Sequence, residues 1–262
     1  MSGKKSKEAR RAERQRPAYL VNARFANESA DRVLAVDPSG VPLSRTNQFI
    51  VGWLRASFEQ SRVIATLTAA NMAPAAAPNR RMFAEIALRL HWLHDLAPED
   101  RAGAVDAMLE HEREQTVKTL EHMRVMGWDS AVDLTDMNAF VLDETKNGRI
   151  KDQARKIAAA AHSTDVKNAG LFRAWREESS YAHASGYLAG AYAPASNNTL
   201  GEGAPPVSDS DLEAHRLVTL FVVTLAHRLL IENQTAESVA MSFVNAFFGV
   251  SSTEARLPSS TS

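Results

Sequence analysis

Proline placement constrains this chain more than any other feature of its sequence. Ten prolines are present, at 17, 38, 42, 74, 78, 98, 194, 205, 206 and 258, and none falls between Pro98 and Pro194. Proline removes a backbone donor and clashes with the preceding helical turn. The long proline-free stretch is therefore open to uninterrupted helix, and the prolines around it mark places where helices begin and end. Glycine is also sparse, at 12 of 262 residues. Apolar residues recur three and four apart, as in Phe49, Ile50, Trp53, Leu54, Phe58, Val63, Ile64 and Leu67, the period of an amphipathic helix. No stretch shows the sustained alternation of a half-buried strand, and no internal repeat occurs.

These signals predict an all-α fold, a bundle of six to seven helices, several of them long. The expected helices cover about 44–72, 80–96, 98–127 and 134–162, the last bent at Asn147-Gly148. A fifth follows the cap cluster Ser163-Thr164-Asp165 and ends before Pro194. A sixth opens at Asp209-Ser210-Asp211 and runs to about Asn233, and a short seventh opens at Thr235 and ends at Gly249. Capping residues and acids at the starts, and glycine at the ends, carry these boundaries. The domain is expected over 17–250, with a core over 44–193, a Pro/Gly/Ser/Asn-rich loop over 194–210 and C-terminal helices over 211–249. Residues 1–16 read as a disordered basic leader and 251–262 as a disordered tail.

Charge and composition exclude several classes. Thirty Lys and Arg stand against 31 Asp and Glu, a formal net charge of -1, so no whole-molecule field favours nucleic acid. The leader alone is cationic, with Lys4, Lys5, Lys7, Arg10, Arg11, Arg14 and Arg16 against Glu8 and Glu13. No apolar run follows it, so it does not read as a secretion signal. The most apolar stretch, 217–231, is shorter than a membrane span requires and contains His227 and Arg228. The chain has no cysteine, which excludes disulfides, thiolate metal sites and a Cys nucleophile. A cytoplasmic location is the expectation.

Phosphate-loop, nucleophile-elbow and His-Glu-x-x-His motifs are all missing, as is a Glu with His three residues on. His91, His94 and Asp95 do not converge on a helical wheel as a closed metal site requires. No metal and no cofactor are expected.

Two helices carry polar residues on otherwise apolar stripes. Arg81 and Glu85 share a face with Leu88 and Trp92, beside a wide apolar face carrying Met82, Ile86 and Leu93. A charged pair there is either partly buried and kept for a site, or an ordinary surface i,i+4 pair. On the later helix Arg176 and His183 share a face with Ser180 and Tyr187, with Ser179 beside them, about 10 Å apart along the axis. Arg grips a phosphate bidentately and His exchanges protons near neutral pH. The plainer alternative is a satisfied core His and a surface Arg.

Two resemblances attach to these residues. Arg81-Met82-Phe83-Ala84-Glu85, followed by Ser179-Ser180-Tyr181-Ala182-His183-Ala184-Ser185, resembles an uncharacterised family of bacterial helical proteins. Its members pair an Arg-x3-Glu helix with a later Ser-x3-His-x-Ser helix. Arg176-x6-His183 is also similar to the Arg-x4–6-His signature of the HEPN superfamily, although Glu177 stands where that family often has Asn, Asp or His. That resemblance implies a helical domain, often a homodimer, and in many members a metal-independent ribonuclease of toxin or defence systems. The expected function is a helical module whose polar groove binds a nucleotide, RNA or a protein partner. Arg81, Glu85, Ser179, Ser185 and Tyr187 are its binding residues. In the ribonuclease alternative His183 is the general acid or base, and Arg176 stabilises the charge developing on phosphorus.

Overall fold

The computed structural model describes residues 16–128 and 141–250, together with Thr135 and Ala139, and leaves aside the side chains of 165–169. The expected leader (Arg16 excepted) and tail lie outside the described residues, as does the opening of the helix expected over 134–162. The protein is all-α. Its elements are α1 (Ala18–Leu34), α2 (Arg45–Ala69), a 3-10 turn (Ala73–Ala76), α3 (Ala77–Asp95), α4 (Pro98–Val125), α5 (Gly148–Arg155), α6 (Ile157–Ala182), α7 (Gly186–Tyr192), α8 (Glu213–Glu232) and α9 (Glu237–Phe248). A two-residue hairpin, β1 (Ala195–Ser196) with β2 (Thr199–Leu200), interrupts the loop before α8. Asn197 and Asn198 turn it at positive φ, as tight hairpins demand.

α3 is the central helix. Leu88, Leu90, Trp92 and Leu93 are all but inaccessible, and α2, α6 and α8 pack around it. α2 starts on Ser44, whose hydroxyl accepts the Asn47 backbone N–H. It ends on Asn71 in the left-handed region, with the Met72 N–H returning to the Leu67 carbonyl, a Schellman closure. α8 is the one helix among the described residues long and apolar enough to cross a bilayer. Here Val222, Val223, Ala226, Leu229 and Leu230 bury its apolar stripe in the core.

Three sequence expectations are corrected. Residues 18–34, which lie before the first expected helix, form α1. Its buried face is Asn22, Ala23, Ala26, Ser29, Ala30 and Val33, small residues that give a weak apolar signal yet let α1 lie close to α2. Arg32 ties it to the far end of the chain, donating to the carbonyls of Ala246 and Phe247 and so satisfying the open C-terminus of α9. Residues 141–147 are not helical. They run along α4, where the Thr145 N–H bonds the Gly103 carbonyl and the Asp143 N–H bonds Asp106. Asn147 then caps α5 rather than bending a helix. Finally, the helix breaks fall at Lys156 and His183, both extended, instead of at 163–165 and before Pro194.

Candidate functional site

α6 brings the site together by bending. His162 and Phe172 rings lie 4.9 Å apart, and Ala158 and Ser180 line one depression of about 490 Å³. A straight helix would separate those last two residues by about 33 Å. α6 is therefore bent between His162 and Phe172, and the groove lies on the inner side of the bend.

The C-terminal arm is fixed against α3 by antiparallel polar contacts. Arg80 Nε donates to Glu178 Oε1 at 2.7 Å, Arg81 Nε to Ser179 Oγ at 3.0 Å, and Trp175 Nε1 to Glu85 Oε2 at 3.2 Å. Arg81 also faces Glu85 at 3.8 Å and lies 5.9 Å from the centre of the Trp175 ring. The i,i+4 pair on α3 and the serine on α6 thus meet across a helix interface. Ser179 is held from both sides, since its hydroxyl also donates to the Trp175 carbonyl.

Toward the groove, Phe172 and Trp175 stack with their planes 16° apart, and the Arg176 guanidinium lies 5.9 Å from the Phe172 ring centre. Phe172 and Trp175 are half-buried; His162 and Arg176 are exposed. No carboxylate lies within ion-pair distance of Arg176 among the described residues, whereas Glu177 is held by Arg173 at 2.6 Å and does not line this groove. The floor is thus a stacked aromatic pair with His162 tilted against it and the Arg176 guanidinium alongside, while Arg81 packs on Trp175 outside the lining. It offers flat π-faces together with fork-shaped anion donors. Further along α3, buried Arg89 donates to the Gln153 carbonyl. Burial pushes its pKa down to about 10, opposed by the charges of Glu85 and Glu112.

The remaining expected site residues lie elsewhere. His183 is the extended residue that caps the C-terminus of α6, exposed and outside the groove lining. Ser185 is structural: its hydroxyl donates to the Ser180 carbonyl and caps α7 by accepting the Leu188 N–H at 3.1 Å. Serine is a favoured N-cap residue. Tyr187 therefore sits on a different helix from Arg176. It lines a separate shallow depression with Tyr181 and Gly190. His91 and His94 face the Asp95 carboxylate at 3.3 and 3.5 Å, and no trio of His, Asp or Glu among the described residues is grouped to hold a metal ion.

Sequence reading missed His162, Phe172 and Trp175 as groove residues. The signal for the last two was present, two aromatics at i,i+3 preceding an arginine. His162 depends on the bend and had no local signal. No family model, curated protein or solved structure matches the chain, so a functional assignment rests on the chemistry of this groove.

Proposed function

We propose that the protein is a non-catalytic helical module whose α6 groove binds a nucleotide, free or within single-stranded RNA. The observation that carries this reading is the ladder of His162, Phe172 and Trp175 with Arg176 and Arg81 beside it. Every base has a π-face, so stacked aromatics hold bases without regard to sequence, and arginine adds cation–π and phosphate contacts. Glu85 supports the arrangement by accepting from the Trp175 indole and facing Arg81. It orients both groups and lowers the net charge the groove presents.

The test is fluorescence anisotropy with a labelled eight-nucleotide single-stranded RNA. Stacking contributes roughly 1–3 kcal/mol per base, so Trp175→Ala and Arg176→Ala are each expected to weaken binding at least fivefold. Binding undiminished in both variants sinks the proposal. The ribonuclease alternative is checked on the same RNA in EDTA. It requires cleavage that His183→Ala abolishes, whereas the binding reading expects the RNA to stay intact. The geometry favours binding, because no side chain among the described residues hydrogen-bonds His183 as an oriented general base requires.

A further inference from the structure

A cleft of about 690 Å³ lies between α2 and α4 and shares no lining residue with the α6 groove. On α2 its lining falls at 45, 48, 49, 52 and 53, the three- and four-residue spacing of a single helical face. The helices are tied at the start of that face. Arg45 donates to both Asp106 carboxylate oxygens at 2.8 Å and to the Val141 carbonyl at 2.6 Å. From that tie the cleft extends along α2 over Phe49, Gly52 and Trp53, and is faced by Leu109 and Leu142.

Its apolar wall is half-buried and open to a ligand: Phe49, Trp53, Leu109 and Leu142 each keep part of their surface accessible. The Phe49 and Trp53 rings lie 5.1 Å apart at 82°, an edge-to-face pair that a third ring can extend in the same geometry. Gly52 sits between them in sequence and is exposed. Glycine inside a helix weakens it. Here no positive φ calls for glycine, and a Cβ would meet nothing within 4 Å, so no close backbone approach calls for it either. What the missing side chain supplies is room in the cleft. The charged groups set the ligand's charge. Arg45 is matched by Asp106, and Arg113 faces Glu110 at 3.6 Å. Glu112 and Gln48 line the cleft, are exposed, and have no side-chain partner among the described residues. An anion would meet the unmatched Glu112, and a cation would meet the guanidiniums of Arg45 and Arg113. A neutral ring meets neither penalty, and a hydroxyl or ring N–H on it has Glu112 as an acceptor. A cleft of this size with apolar walls and a few polar groups is the usual form of a small-molecule site.

We propose that this cleft binds a small uncharged aromatic molecule bearing a hydrogen-bond donor. Its ring lies against Phe49 and Trp53 over Gly52, and its donor is taken by Glu112.

The experiment is isothermal titration calorimetry of the full chain with 2-naphthol, and with 2-naphthoate as an anion of similar shape. One saturable site for 2-naphthol is expected, with 2-naphthoate at least about tenfold weaker. Gly52→Leu fills the cleft from a position where the added Cβ has no neighbour, and leucine is the better helix former. That variant is expected to fold, as circular dichroism verifies, and to lose at least about tenfold in affinity for 2-naphthol. Trp175→Ala, in the α6 groove, is expected to bind 2-naphthol as the wild type does. The proposal is overturned by absence of saturable binding, by equal affinity for 2-naphthoate, by unchanged affinity in Gly52→Leu, or by loss of binding in Trp175→Ala. RNA binding is scored with a different ligand, so failure of one site does not count against the other.

Discussion

His215 shows how one residue can be dictated by its surroundings and still be invisible as sequence. Its ring packs 4.5 Å from Phe83, and its Nε2 is satisfied by Ser61. Burial first, and then the charge of Arg80, pushes its pKa down to about 4 from an ordinary 6.5. The folded protein therefore resists a proton that the unfolded chain accepts below about pH 6.5. Stability contributed by this residue is complete above that pH and is lost as pH falls toward 4. Between pH 7 and pH 5 the loss is on the order of 2 kcal/mol, at 1.36 kcal/mol per pKa unit. Urea unfolding at the two pH values measures it, and His215→Gln, which does not titrate, is expected to lose distinctly less over the same interval. Equal losses in the two proteins would mean that other groups carry the acid sensitivity. In the sequence, His215 was simply one residue in the first turn of an expected helix. Its partners Ser61, Phe83 and Arg80 come from two other helices, and no local pattern links them.

At the scale of elements, helices whose boundaries are set by local chemistry were legible, and those set by distant partners were not. Ser44, Pro98 and Gly249 place the ends of α2, α4 and α9 where capping rules put them. The break at Lys156 has no proline or glycine to announce it. The Gln153 carbonyl, in the last turn of α5, is taken by the buried Arg89 guanidinium, and the Gln153 side chain accepts the Trp92 indole N–H. That stop is thus associated with residues some sixty positions earlier. The 141–147 segment is similar, since its course depends on α4. Gly103 lies mid-helix, where a Cβ would fall 2.9 Å from the Thr145 backbone nitrogen. On an isolated helix Gly→Ala stabilises by about 1 kcal/mol. Here the added methyl meets backbone rather than a flexible side chain, so Gly103→Ala is expected to destabilise by about 1–3 kcal/mol, as overpacking does. A rise in the urea midpoint would show that 141–147 is free to move off α4.

For the whole molecule, the fold class followed from proline spacing and helical periodicity, while the site was only half legible. Arg81, Glu85, Ser179 and Arg176 converge because α3 and α6 pack antiparallel. His183, Ser185 and Tyr187 were placed with them on the assumption of one continuous helix, but α6 ends at Ala182 and Ser185 caps the next helix. Charge distribution then supplies a test of where RNA would bind. The chain carries a net charge of -1 with seven cations concentrated in its first 16 residues, whereas the groove lining carries one, Arg176, with Arg81 held against Ser179 and Glu85. For a single strand, log K falls with log salt by about 0.7 per phosphate neutralised. Binding confined to the groove predicts a slope of about -0.7, unchanged when residues 1–15 are removed. Binding through the leader predicts a slope several units steeper that collapses on the same truncation, together with affinity insensitive to Trp175→Ala. Anisotropy titrations at four salt concentrations on the full and truncated chains distinguish the two. The groove reading requires both the shallow slope and the dependence on Trp175, because stacking, unlike phosphate pairing, is not screened by salt.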